Sequence, residues 1–227
     1  MKIGIACLAY NRPLHLQHWI KQVAEFSPED ATVYIAEDNK NRSGVSFRSN
    51  ECLRTLKDCD FIFIFNDDCF PIKSGWENVF IEAHKQTGQH HFQFMKESNA
   101  TKITGVASDR DIENYVDVNI FNNTNGCLLF MTKECVEKVG GFDEKYFYGM
   151  EHADYSNRIH RAGLTPFGRY SCPANAEKFI FALDLEPETE LHRKLKHKGS
   201  MPIAEALRHS EKGLKKYSEP TQIFIGL

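Results

Sequence analysis

The sequence predicts an α/β domain with a mostly parallel central sheet flanked by helices, and three observations carry that expectation. Short β-rich runs alternate with helical patterns over residues 1–100, the mark of parallel strands joined by crossover helices. Phe61-Ile62-Phe63-Ile64-Phe65 is an unbroken apolar run, which reads as a strand buried on both faces. At 227 residues the chain is long enough for one sizeable domain and short for two.

Taken in order, Ile3–Ala9 reads as the first strand and Pro13 opens a helix in which Leu16, Trp19, Ile20 and Val23 recur at helical spacing. Ser27-Pro28 closes that helix and Thr32–Ala36 forms the second strand. A helix over Phe47–Leu56 leads into the Phe61 strand, whose carboxyl end carries Asp67-Asp68 ahead of Pro71. Gly75–Lys85 reads as the next helix, with Trp76, Val79, Phe80 and Ala83 towards the core; stacking on a ligand is the alternative for Trp76. From Gly88 to Asn125 the periodicity weakens and short strands or a hairpin are expected. Gly126–Met131 is an apolar strand, and Thr132–Val139 a helix stopped by Gly140-Gly141. A last helix spans Glu151–Ala162 and stops at Gly163, and no repeat or low-complexity linker interrupts the pattern.

A net charge of −3 gives no overall signature of nucleic-acid binding. The charge is uneven, however: between His192 and Lys216 eight Lys or Arg stand against two Glu, read as a solvated face or as a contact for an anionic acceptor, membrane surface or nucleic acid. Seven cysteines without a Cys-x-x-Cys pair suggest neither a zinc knuckle nor a disulfide framework, and reduced thiols in a cytosol fit best. The Lys2–Ala9 run is too short and wrongly flanked for a signal peptide, and no stretch approaches a membrane span. The glycosylation patterns at Asn99 and Asn122 are therefore read as accidental.

Acids fall where strands give way to loops or a helix begins: Glu37-Asp38, Asp67-Asp68, and Glu151 with Asp154. In open α/β sheets ligands bind at the carboxyl edge, so separate clusters there suggest one pocket. Two adjacent carboxylates at the end of a buried strand repel each other and lose hydration unless a divalent cation, a cationic ligand or a shared proton relieves them. A metal bridging to a phosphate is the economical explanation. Solvating a turn is the plain alternative for each cluster.

The order and spacing of several motifs resemble the GT-A glycosyltransferases of family 2 over residues 3–165. Ala9-Tyr10-Asn11-Arg12-Pro13 is similar to the family's first strand-to-helix loop, and Ala36-Glu37-Asp38-Asn39 to its second, where an acid holds the nucleotide base. Gly44–Asn50 resembles the stretch in which an Arg and an Asn, here Arg48 and Asn50, precede the next helix. Asn66-Asp67-Asp68 looks like the Asp-x-Asp metal motif with Asn as its first member. Gly140-Gly141-Phe142-Asp143-Glu144 and Tyr148-Gly149-Met150-Glu151-His152-Ala153-Asp154, with Arg158, look like the acceptor-side loop and the start of the catalytic helix.

The resemblance implies a GT-A domain over 1–190, with a nucleotide-sugar half at about 1–95 and an acceptor half at about 96–190, followed by a basic extension over 191–227. It implies Mn2+ or Mg2+ on Asp68, with Asp67 directed to the donor's ribose or sugar, and a third metal ligand from His192, for which His197 competes. Donor contacts fall to Ala9, Tyr10, Asn11, Arg12, Asp38, Arg48, Asn66 and Asp67. Glu151 keeps the family's first acid and is taken as the base, while His152 stands where many relatives carry an acid. Asp154 fits a substrate role and equally a pairing with Arg158 four residues on. The expected activity is metal-dependent, inverting transfer from a nucleotide-sugar, a UDP-sugar foremost, to a hydroxyl of a glycan or other acceptor in the cytoplasm. Rival readings are a sugar nucleotidyltransferase, although the Tyr10-Asn11-Arg12-Pro13 loop lacks glycine, and an inactive nucleotide- or glycan-binding module. A nucleic-acid acceptor met by the basic extension is a further alternative.

Overall fold

A computed structural model describes residues 1–38, 43–95, 102–106 (backbone), 118–121, 126–147, 149–183 and 222–223. Its strands are β1 (Ile3–Ala9), β2 (Thr32–Glu37), β3 (Phe61–Asn66), β4 (Cys69–Pro71), β5 (His91–Gln93), β6 (Lys102–Val106), β7 (Val118–Phe121), β8 (Leu128–Thr132), β9 (Ser171–Pro173) and β10 (Ile180–Ala182). Its helices are α1 (Pro13–Phe26), α2 (Val45–Thr55), α3 (Trp76–Thr87), α4 (Lys133–Val139) and α5 (Glu151–Arg161). The central sheet has the order β2-β1-β3-β8-β5. β1 is parallel to β2 and β3, whereas β8 is antiparallel to both β3 and β5, so β8 alone runs against the rest.

Strand alternation sorts the core into two layers. Ile3, Ile5, Cys7, Phe63, Phe65, Leu128 and Phe130 face α1 and α3, where Trp19, Trp76 and Phe80 close the layer. Ala6, Ile62, Ile64, Leu129 and Met131 face the opposite way, onto Leu53, Val136, Tyr155 and Ile159 from α2, α4 and α5. The phenylalanines of β3 therefore share one face and its isoleucines the other. The ring of Phe63 meets Trp76 at 4.7 Å and Phe130 at 5.1 Å between centroids.

Two details depart from the sequence reading, and two follow it. β3 ends at Asn66 with the acids at its carboxyl end, as expected, and after a turn at Asp67-Asp68 the chain enters a separate short ladder in which Cys69–Pro71 pairs with β10. Adjacent carboxylates cannot be carried through a buried ladder, so the chain turns where they stand. α2 begins at Val45, so Arg48 and Asn50 lie inside the helix rather than ahead of it. Gly44, at φ +91, sets that start, since its amide and that of Ser43 are drawn onto the Asp38 carboxylate. Ile20 is 44% exposed, since only Trp19 and Val23 of α1 are buried. Between Gly88 and Asn125, the expected short strands comprise β5 and the antiparallel pair β6–β7, which continues to β9.

The positive φ of Gly88, Gly140 and Gly163 closes α3, α4 and α5. Ile223 returns to the domain as an isolated bridge to Gly140, its amide bonded to the Val139 carbonyl and its carbonyl to the Gly141 amide, both at 3.0 Å. His192, Asn39, Tyr148, the two glycosylation patterns and the rest of the basic extension lie outside the described residues.

Candidate active site

The sheet register brings the first two acid clusters together. Leu8 pairs with Asn66 and Ala9 with Glu37, so the loop after β1 opens between the ends of β2 and β3. This is where the strand order reverses, since β1 lies between β2 and β3. Arg12 reaches across it, with Nη1 3.0 Å from Asp68 Oδ2 and 3.4 Å from Asp67 Oδ1. Asn11, immediately before it, has φ +50. The Asp38 amide bonds the Ala9 carbonyl at 2.9 Å, fixing the second loop on the first.

Asp67 is 5% exposed and its Oδ2 has no hydrogen-bond partner. Burial pushes its carboxyl up to about 6, against the pull of Arg12 and with the Asp68 charge adding to the rise. A buried carboxylate oxygen left without a donor beside a second acid suits a divalent cation. Among the described residues no group of three or more His, Cys, Asp or Glu could hold one alone. The protein would supply one or two carboxylates and a phosphate the remaining oxygens, as Mg2+-type sites commonly do. The residues therefore fit a phosphate-bridged cation, with Arg12 holding the acids meanwhile.

Asp38 and Arg48, both expected on the donor, are bonded to each other. Arg48 Nε and Nη2 each lie 3.3 Å from Asp38 Oδ1, and Nη1 lies 2.6 Å from Glu51. Asp38 also accepts the Ser43 and Gly44 amides at 2.7 and 2.9 Å, so it closes its own loop. Asn50 clamps the Phe142 backbone, accepting its N–H at 2.7 Å and donating to its carbonyl at 3.0 Å. That clamp ties the donor-side helix α2 to the Gly140–Glu144 segment.

Glu151 and His152 open α5 after Gly149 and Met150, both with positive φ, +86 and +70. A methionine in that region is strained, and such strain gathers at functional sites. Glu151 is 7% exposed; its Oε1 lies 2.9 Å from His152 Nδ1 and its Oε2 has no partner. Burial alone would raise this carboxyl, but His152 and the backbone amides of Glu151 and Gly149 outweigh it and hold it below its ordinary value. Asp154 is engaged elsewhere: its Oδ2 accepts Arg158 Nε at 2.9 Å, and Arg158 Nη2 donates to the Gly141 carbonyl at 2.7 Å. The third cluster meets the first two through Gly126. The His152 ring abuts Gly126, and the carbonyl of the next residue, Cys127, takes the Asn66 amide at 2.8 Å.

Behind α5, a buried network is held by residues the sequence reading did not single out as a site. Ser156 Oγ bonds the His152 carbonyl at 2.8 Å, His91 Nε2 lies 2.8 Å from that hydroxyl, and Gln93 donates to it. Polar residues at the alternating positions of a β-rich run were the available signal, but solvent-facing strand residues give the same pattern. Gly126 had no signal beyond its place before an apolar strand.

The architecture matches a mannosyltransferase of Pyrobaculum calidifontis in complex with GDP-Man and Mn2+, with TM-score 0.65 and 12% identity, over 96% of this chain and 65% of that one. The chain has the GT-A glycosyltransferase fold. The same GT-A fold aligns with a Drosophila β-1,4-galactosyltransferase 7 variant in complex with manganese, UDP-Gal and xylobiose (TM-score 0.54, 16% identity, 85% of this chain and 73% of that one). A family model described as the N-terminal domain of galactosyltransferase matches residues 109–181, the part carrying β8, α4 and α5. By sequence, the chain is 24% identical over 153 residues to an uncharacterised glycosyltransferase of Acanthamoeba polyphaga mimivirus, covering 64% of this GT-A chain. The chain spans 56% of the length of that relative.

Proposed function

We propose that this chain transfers a sugar from a nucleotide-sugar donor to an acceptor hydroxyl, with a UDP-sugar the foremost donor and inversion at the anomeric carbon. The observation that carries the proposal is the pair of buried, unpartnered carboxylate oxygens, Asp67 Oδ2 and Glu151 Oε2, on the two flanks of one sheet edge. The GT-A fold, the bound nucleotide sugars of its structural relatives and the match to a galactosyltransferase family model support it. A family 2-like placement rests on the motif order given above. A cytoplasmic setting is supported by seven free, buried cysteines and by the absence, among the described residues, of a helix long and apolar enough to cross a membrane.

In this reading the loop at Ala9, Tyr10, Asn11 and Arg12 and the end of β3 at Asn66 and Asp67 receive the donor. Asp38 and Arg48 border the nucleoside. Asp68, with His192 as the proposed further ligand, would hold Mn2+ or Mg2+, whose chemistry is to offset charge on the departing diphosphate. Arg12, which bonds the acids here, would be free to offer its guanidinium to phosphate oxygens once they were otherwise engaged, a geometry in which Arg is strong. The Glu151–His152 pair faces the acceptor, whose hydroxyl is a poor nucleophile until its proton is removed. Asp154 steadies the helix that presents that pair.

The test is a thermal-shift series with UDP- and GDP-sugars, with and without Mn2+, followed by transfer assays. The wild type should rise in Tm with one nucleotide sugar in a metal-dependent way, because a ligand of the native state stabilises it. Asp68→Ala should lose the metal-dependent part, and Glu151→Gln should keep the rise while losing about 10²-fold or more in transfer. No rise with any nucleotide sugar would overturn the proposal.

A further inference from the structure

Glu151 and His152 are neighbours in sequence, yet their side chains occupy different environments. The Glu151 side chain is 9% exposed and has its Oε1 committed to His152 Nδ1, whereas the His152 side chain is 19% exposed. An ionised carboxylate can only accept, so Nδ1 carries a ring hydrogen, and in the neutral imidazole that leaves the lone pair on Nε2. Among the described residues nothing bonds Nε2. Of the two side chains, the imidazole is the more accessible from solvent.

The ring's position is built rather than incidental. A Cβ at Gly126 would fall 2.8 Å from His152 Nδ1 and 2.9 Å from its Cγ, so only a bare α-carbon admits the ring. Close approach is thus a use for glycine at this position. From Gly126 the backbone leads to Cys127, which pairs with Asn66 one residue before the acid pair. On the other side, the Ser156 hydroxyl holds the His152 carbonyl and is itself fixed by His91 and Gln93. The imidazole is thus clamped between the donor edge and a buried network, with a carboxylate on its rear nitrogen. This is the arrangement by which a histidine base is oriented and its cation supported.

Resting on the transfer reaction proposed above, we infer that His152 is the group that takes the acceptor proton, with Glu151 orienting the ring and holding the charge it acquires. As the acceptor oxygen bonds to the anomeric carbon, its proton passes to Nε2 and the electron pair of the O–H bond stays on the oxygen. The bond from the anomeric carbon to the diphosphate breaks with its pair on the departing phosphate oxygen. The resulting imidazolium is paired with Glu151 until the proton returns to solvent. Glu151 alone would be a poor base, since its position in the first turn of α5 and its bond to His152 both favour the ionised form.

The decisive variant is His152→Asn in the full chain, whose amide can keep an N–H towards Glu151 while lacking any ring base. With the wild type's nucleotide sugar and Mn2+, this variant should keep the donor-induced rise in Tm and lose about 10²- to 10⁴-fold in kcat. His152→Ala should lose a similar factor and recover part of it on addition of free imidazole. A His152→Asn rate within about threefold of wild type, beside a wild type that transfers, overturns this assignment and leaves the transfer reading intact. So does a His152→Ala loss that imidazole does not relieve. A wild type that neither binds nor turns over any nucleotide sugar overturns the transfer reading and this assignment with it.

Discussion

His91 shows how a single residue couples this fold to pH. It is fully buried between the Phe130 carbonyl and the Ser156 hydroxyl, and burial pushes its imidazole down to about 4 from 6.5. Below pH 6.5 the unfolded chain takes up a proton that the native state refuses, so stability falls as pH drops from about 6.5 to about 4. The loss attributable to this one group is on the order of 3 kcal/mol. Urea unfolding at pH 7 and pH 4.5 should show His91→Gln losing less stability between the two than the wild type. At this scale, legibility from sequence followed charge: Asp67, Asp68 and Glu151 stood out because carboxylates beside apolar runs demand an explanation. The contacts of Arg12 with the acids did not stand out, because a separation of 55 and 56 residues is closed only by the sheet.

Among the elements, α5 owes its orientation to a buried ion pair. Asp154 and Arg158 have side chains 3% and 2% exposed, and Arg158 also donates to the carbonyls of Val139 and Gly141, where α4 ends. Removing one partner strands the other's charge in the core. Asp154→Ala should therefore cost about 3–5 kcal/mol in urea unfolding, while nucleotide-sugar binding per folded molecule stays near wild type. The i, i+4 spacing made this pair readable in advance; the carbonyls that Arg158 holds were not readable, since they belong to another element. β3 was legible for the opposite reason: five consecutive apolar residues leave few alternatives to a central strand. The short strand beyond the acids went unread because Cys69-Phe70-Pro71 is only three residues long, and only its partner β10 reveals a separate ladder. Short strands such as β9 and β10 carry too few residues to show a period.

For the molecule as a whole, the parallel half of the sheet and its helices followed from periodicity, whereas the β6-β7-β9 sheet and the return of Ile223 depend on tertiary pairing alone. Gly140 is the point on which that return turns. Its φ is +79, and a Cβ there would fall 1.9 Å from the Ile223 carbonyl oxygen, a backbone atom with little room to yield. Gly140→Ala should displace Ile223 and cost on the order of 1–3 kcal/mol. Hydrogen exchange should then be faster at the amides of Ile223 and Gly141, the two donors that hold the bridge.

Leu183 and Ile223 are each anchored, the first by its amide on the Asp68 carbonyl at 2.9 Å and the second beside Gly140. In polymer terms the chain between them is a closed ring rather than a free end. Because both anchors belong to one chain, the Ile223 contact is intramolecular and independent of protein concentration. Severing the intervening chain once would change that, because the same two hydrogen bonds would then have to hold a separate molecule at its bulk concentration. The grip of Ile223 on the domain thus belongs less to its own contacts than to the covalent continuity of the basic segment.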